Sequence, residues 1–202
     1  MSGISVQVNM DQLRAVQLNL AHIDGAGRTV TCRAVNKTLA GVRTDAVAEI
    51  HSRLNLTKTR IRQDFKLYKA TFSGWPGKVK AEGEPVGLAS FGARQTQKGV
   101  SVQVLRNSSR QLLKHAFIAT QQRTDKSTYK NVYWRSWAGE RTGPAGGKFY
   151  PREYRQPIER LTGPRIEDIF GKREVMAAVE KKADARLSKN LDHELEYFLS
   201  NL

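Results

Sequence analysis

The chain has 202 residues, 34 of them Lys or Arg against 19 Asp or Glu, for a formal net charge of +15. That length can bury a core without covalent staples, and the charge suits an anionic partner such as nucleic acid or a crowded acidic assembly. A lone Cys32 excludes a disulfide framework or a cysteine-built zinc cluster, and no run approaches 18 apolar residues, which excludes a membrane-spanning helix.

The charge is uneven. Residues 51–150 hold 19 Lys and Arg and 5 Asp and Glu, whereas residues 1–50 hold 5 against 4 and residues 151–202 hold 10 against 10. Nearly all the surplus lies in the middle half, and the balanced terminal parts suit contact with other proteins. The N-terminal residues MSGISVQVNMDQ lack the basic-then-apolar order of a signal peptide, so synthesis in a reducing cytoplasm is expected.

Ile4, Val6 and Val8 alternate with polar residues, which predicts a short strand with one buried face. A brief helix is predicted from Asp11, with Leu13, Val16 and Leu20 on its apolar side, before Asp24-Gly25 breaks the chain. From Ala26 to Leu54 runs the strongest helical pattern, Val35, Leu39, Val42, Ala46 and Ile50 at spacings of three and four, weakened locally by Thr38 and Gly41. A stripe of that length needs a partner, and a neighbouring subunit is expected to cover part of it. Thr57 caps a second, short helix containing Ile61 and Phe65.

The texture then changes. Short β-like pieces are predicted at 67–72, 79–81, 86–91, 100–105, 115–120 and 129–134, separated by turn residues, which suggests a mostly antiparallel, curled sheet. Residues 136–151 read as a Gly/Pro-rich loop, and residues 165–170 as a small apolar turn. Val175, Val179, Ala183, Leu187, Leu191, Leu195, Phe198 and Leu202 mark a closing helix. The class is α+β: a long N-terminal helix, a strand-rich middle and a C-terminal helix. Residues 1–25 form an N-terminal arm, and residues 26–202 a single domain.

Catalytic chemistry finds little purchase. His22, His51, His115 and His193 are scattered with no metal-ligand spacing, and Cys32 reads as a small buried hydrophobe. The GPAGGK run fails as a phosphate loop, because Thr142 stands where the first glycine belongs and Phe149 replaces the magnesium-holding hydroxyl. Glu194 and Glu196 lie on a charged helical face. No catalytic residue, metal or cofactor is expected, and the chain is read as a non-enzyme.

Two features point to nucleic acid. Residues 51–66 could supply the turn and second helix of a helix-turn-helix, with Lys58, Arg60, Arg62 and Gln63 reaching bases or phosphates; the first helix is long for such a unit. Tyr129, Tyr133, Trp134 and Trp137 are interleaved with Lys130, Arg135 and Arg141. That mixture either stacks unpaired bases or forms a protein–protein hot spot, and without a known single-strand-binding signature the interface is favoured.

The order of segments resembles the minor tail protein Z family of lambda-type long-tailed bacteriophages, the tail completion proteins. The resemblance runs from about Ala26 to Leu202 through Ala34-Val35-Asn36-Lys37, the basic LNLTKTRIR turn, KATFS at 69–73, LASFGAR at 88–94, KGVSVQV at 98–104 and HAFIAT at 115–120. It closes with a strand ending in Arg135, a proline-flanked segment and the C-terminal helix. Members often carry a denser arginine run before the KGVSV-like strand, where this chain has Arg94 and Lys98.

The resemblance implies a virion protein of the tail or neck, made in the host cytoplasm, that acts in tail completion and head–tail joining at the head-proximal end. It implies a ring, with a hexamer favoured, around the DNA channel. Its partners would be other copies of itself, the tail terminator, tail tube and neck proteins, and double-stranded DNA held without sequence preference. On that reading Lys58, Arg60, Arg62, Lys66, Lys69, Lys78, Lys80, Arg94 and Lys98 face DNA, and Phe117, Tyr129, Tyr133, Trp134, Trp137 and Tyr150 form subunit contacts. The alternative is a nucleic-acid-binding regulator or ribosome-associated protein using residues 51–66 and the aromatic loop.

Overall fold

A computed structural model of the chain describes residues 4–7, 14, 26–71, 77–122, 128–135 and 158–201. Its elements are β1 (Ile4–Gln7), α1 (Ala26–Arg53), α2 (Lys58–Gln63), β2 (Phe65–Tyr68), β3 (Lys78–Ala81), β4 (Arg94–Thr96), β5 (Gly99–Val102), β6 (Gln111–Lys114), β7 (Phe117–Gln122), β8 (Thr128–Arg135), β9 (Ile158–Arg160), α3 (Ile166–Phe170) and α4 (Arg173–Leu199). A 3₁₀ turn, Leu88–Phe91, lies between β3 and β4. The α+β class read from the sequence holds, with the antiparallel strands divided among three three-stranded sheets. The chain forms two compact units: Met1–Arg53, Thr57–Glu84 and Arg165–Leu202 in the first, Leu54–Leu56 and Pro85–Pro164 in the second.

In the first unit the apolar stripe of α1 is satisfied within the chain. Val35, Leu39, Val42, Ala46 and Ile50 are each at most 1 % exposed, and α4 packs along them with Val175, Val179, Ala183, Leu187 and Leu191 buried. The expected neighbouring subunit is therefore not needed to cover this stripe. The regular four-residue step of the α4 set outruns the 3.6-residue turn by about 40° each time, so its apolar stripe winds slowly around the helix as it follows α1.

The sheet order β1–β3–β2 places β3 in the middle, and Val79 and Ala81 pair with Leu67 and Phe65 of β2, so that one face of the β2–β3 pair is wholly apolar. The Asn36 side chain fastens α1 to the chain after β2: its Nδ2 donates to Ala70 O at 3.1 Å and its Oδ1 accepts from Ala70 N at 2.9 Å. Cys32, buried as expected, lies beside the same carbonyl at 3.3 Å.

Helix α2 begins as the sequence predicts, with Thr57 Oγ1 accepting from Arg60 N at 3.3 Å. It stops at Gln63, and Phe65 belongs to β2 instead. Phe65 and Leu67 point to one face of a strand and pair with Ala81 and Val79, and the Phe65 ring meets Phe170 edge-on at 5.2 Å. That packing outweighs one more helical residue.

In the second unit, sheets β4–β5–β6 and β7–β8–β9 are both antiparallel. The strand predicted at 86–91 is a bridge from Gly87 to Thr162 followed by the 3₁₀ turn. Buried Asn131 explains the departure: its Oδ1 accepts from Ala89 N at 3.3 Å, and a Cβ on Gly87 would sit 2.7 Å from that oxygen. Phe91 is fully buried at the end of the turn, and Gly92 closes it at a φ of 65°. Asn55 fixes the 54–56 segment, donating from Nδ2 to Phe91 O and Gln103 O and from its backbone to Val104 O. The short helix predicted from Asp11 falls outside the described residues except for helical Arg14, as does the loop at 136–151.

Candidate anion-binding surfaces

Alternation along a strand sends neighbouring residues to opposite faces. In the first unit, the face of β2 and β3 opposite the apolar one carries Lys66, Tyr68, Lys78 and Lys80. Three of the lysines expected to face DNA are thus gathered on one sheet. Lys66 and Lys80 sit directly opposite each other, a repulsive arrangement. Glu82 relieves it by pairing with both ammonium groups. Those two hydrogen bonds hold the Glu82 carboxyl at about 2, well below its usual range, and raise both lysines. Lys78 Nζ lies 5.3 Å from the centroid of the Tyr68 ring.

The other basic residues of this unit are placed differently. Arg60 is tied to Asp64 at 2.7 Å, while Lys58, Arg62 and Lys69 are exposed with no ion pair among the described residues. Helix α2 spans six residues, fewer than two turns, and runs straight into β2. A recognition helix that lies in a major groove needs more length than that, so the geometry does not form a helix-turn-helix.

In the second unit, Arg94, Thr96, Ser101, Leu112 and Lys114 share one face of β4–β5–β6, opposite buried Val100 and Val102. Arg110 lies across this face, its Nε donating to Ser101 Oγ at 3.1 Å and its Nη2 to Gly92 O at 2.6 Å and Ser101 O at 2.9 Å. Sequence reading found Arg94 and Lys98 but missed Arg110 and Lys114. Strand β6, Gln-Leu-Leu-Lys, does not alternate, and only its pairing with β5 reveals which side each residue takes.

The aromatic run divides between two faces of β7–β8–β9. Phe117, Tyr129, Tyr133 and Arg160 share one side, with the Phe117 and Tyr133 centroids 6.2 Å apart and Arg135 Cζ 5.7 Å from the Phe117 ring. Tyr133, expected at a subunit contact, is 2 % exposed and belongs to the interior of this unit, and burial raises its phenol to about 12. Trp134 takes the other side, 46 % exposed, with Nε1 donating to Glu159 Oε2 at 3.0 Å. Tyr129 and Trp134 therefore cannot form one stacking platform. Trp137 and Tyr150 lie outside the described residues.

No three His, Cys, Asp or Glu side chains gather as a metal site among the described residues, and no described helix is long and apolar enough to cross a membrane. What the chain presents is one α+β unit and one unit of strands and a 3₁₀ turn, each with a sheet face rich in lysine and arginine: a structural protein in type. Residues 19–202 match the family model described as prophage minor tail protein Z, and the chain belongs to that family. It is a bacteriophage tail structural protein. No curated protein and no solved structure matches it.

Proposed function

We propose that the protein acts late in tail assembly, completing the tail at its head-proximal end and joining it to the filled head as a ring around the DNA channel. The observation that carries this reading is the cationic outer face of the sheets. The second unit alone holds 14 Lys and Arg against 4 Asp and Glu, +10 of the total +15. Lysines and arginines spread over strand faces attract phosphates without reading bases, which is what a duplex sliding through a bore requires. Copies of such a chain repel one another unless DNA or acidic neighbours sit among them. The tail terminator, tail tube and neck proteins are the neighbours this role implies. No bond-breaking step is assigned.

Subunit contacts fall to the apolar groups left exposed on the two faces of β7–β8–β9, Trp134 at 46 % exposure on one face and Ile158 at 47 %, with half-buried Phe117 and Tyr129, on the other. Tryptophan is enriched at the energetic centres of interfaces. The test is negative-stain imaging and mass measurement of the purified protein, with imaging of the virion. Rings and density at the head-proximal end of the tail are expected, and Trp134→Ala should impair assembly while leaving duplex affinity nearly intact. Absence from finished particles would overturn the proposal.

A further inference from the structure

At one end of β4–β5–β6 the second unit holds a cavity of about 350 Å³ lined by Gln95, Gln97, Lys98, Gly99, Lys114, His115 and Ala116. From these residues we infer a discrete site for a phosphate group, either inorganic phosphate or a phosphodiester of a nucleic acid backbone. The inference rests on the reading of the protein as a polyanion-binding scaffold and adds to it a defined place of contact.

Three features of the backbone build the site. Gly99 pairs with Lys114 at a φ of 145°, and a Cβ there would lie 2.1 Å from Leu113 O, so only glycine lets the strands approach this closely. That approach brings Lys98 and Lys114 to the rim of one cavity. His115 has a φ of 63°, uncommon for a residue with a side chain, and its N–H donates to Lys98 O at 3.3 Å. Gln95 is pinned beneath them, its Nε2 donating to Thr96 O and Gly99 O at 3.2 Å and its Oε1 accepting from Ile118 N at 2.8 Å.

The charge around the cavity is of one sign. No carboxylate lines it, and the chain has no Asp or Glu from Pro85 to Thr124. Lys98 and Lys114 form no ion pair with any described residue, in contrast to Lys66 and Lys80, which share Glu82. Two lysines that line one cavity with no carboxylate beside them favour an anion there, and their ammonium donors match the acceptor oxygens of a phosphate.

The experiment titrates the full-length protein with inorganic phosphate at constant ionic strength, following amide shifts by NMR, and separately with a short fluorescent duplex by anisotropy. Saturable shifts at 95–99 and 114–116 are expected. Lys98→Gln/Lys114→Gln should weaken phosphate binding at least tenfold, whereas Lys66→Gln/Lys80→Gln on the other unit should not change it. If the duplex is the natural source, the first variant also lowers the salt slope of duplex binding by about 1 to 2. If the slope is unchanged while phosphate binding falls, the site serves the free ion. Shifts absent from these residues, or equal phosphate affinity in the Lys98/Lys114 variant with its fold verified, would overturn the inference. That result would leave the tail role standing, since ring formation and virion location are read independently.

Discussion

Glu194 is 5 % exposed on the side of α4 that faces α1, and its carboxylate is neutralised by Lys37, whose side chain stays half in solvent. Asn190, one turn earlier, donates to Thr38 Oγ1 at 2.9 Å. The seam between the two helices is thus apolar along most of its length and polar at one level, which fixes their axial register. Lys37→Leu leaves the carboxylate buried without its partner and should cost about 1–3 kcal/mol, towards the lower end because water reaches the pair. Lys37→Leu/Glu194→Leu should recover most of that loss. Urea unfolding of these two variants, of Glu194→Leu and of wild type closes the double-mutant cycle, and single losses that simply add in the double variant would show that the pair is not coupled.

Gly41 has a positive reason to be glycine. A Cβ there would lie 2.8 Å from Arg186 Cδ, and Arg186 crosses this point to make a two-pronged contact with Asp45 at 2.6 and 2.9 Å. Gly41→Ala alone should change stability little, because better helix propensity, about 1 kcal/mol, is offset by displacement of Arg186. In an Arg186→Ala background the same change should stabilise by nearly that full amount. Thermal melts of the four combinations test the coupling.

Gly99 and Gly92 both have positive φ but differ in space. Gly99→Ala drives a Cβ to 2.1 Å from Leu113 O and should destabilise the second unit by about 2 kcal/mol or more, whereas at Gly92 the nearest atom is Asn55 Nδ2 at 3.5 Å. Gly92→Ala should cost about 1 kcal/mol from backbone strain alone. Limited proteolysis within 85–122, together with denaturant midpoints, should rank the two in that order.

Glu82, held at about 2 against a usual 4.5, gives a pH signature. A carboxyl lowered on folding stabilises the folded state above its unfolded value, and that contribution is lost as pH falls from about 4.5 through about 2. The stability gap between wild type and Glu82→Gln should be constant from pH 7 to 5 and close towards pH 2. Added salt should narrow the gap where Glu82 is ionised, since solvent reaches all three groups and Lys66 is well exposed. Carboxyl carbon shifts of Glu82 should titrate far below the other glutamates, and Lys66→Gln/Lys80→Gln should return it towards the usual range.

The helices were legible in the sequence because a 3.6-residue repeat is long and redundant. All five residues of the α1 stripe and the whole α4 run from Val175 to Leu191 are buried. Short strands carry less redundancy. Arg94–Thr96, Gln111–Lys114 and Ile158–Arg160 have exposed or mixed side chains and exist because neighbours pair with them, a fact no local window contains. The structural asparagines were equally opaque. Asn36 and Asn131 bond to backbone 34 and 42 residues away, and nothing in composition separates them from surface residues. The division of the aromatic run was equally hidden, because alternation parts Tyr133 from Trp134 and only one of the two is exposed.

The first unit is assembled from segments that lie far apart in the order of synthesis. Arg173 is the 120th residue that the ribosome adds after Arg53. At roughly 5–20 residues per second, the longest helix waits about 6–24 s for the strand of chain that will shield it. During that interval its greasy flank is open to chaperones, or to a sister polypeptide emerging from the same message.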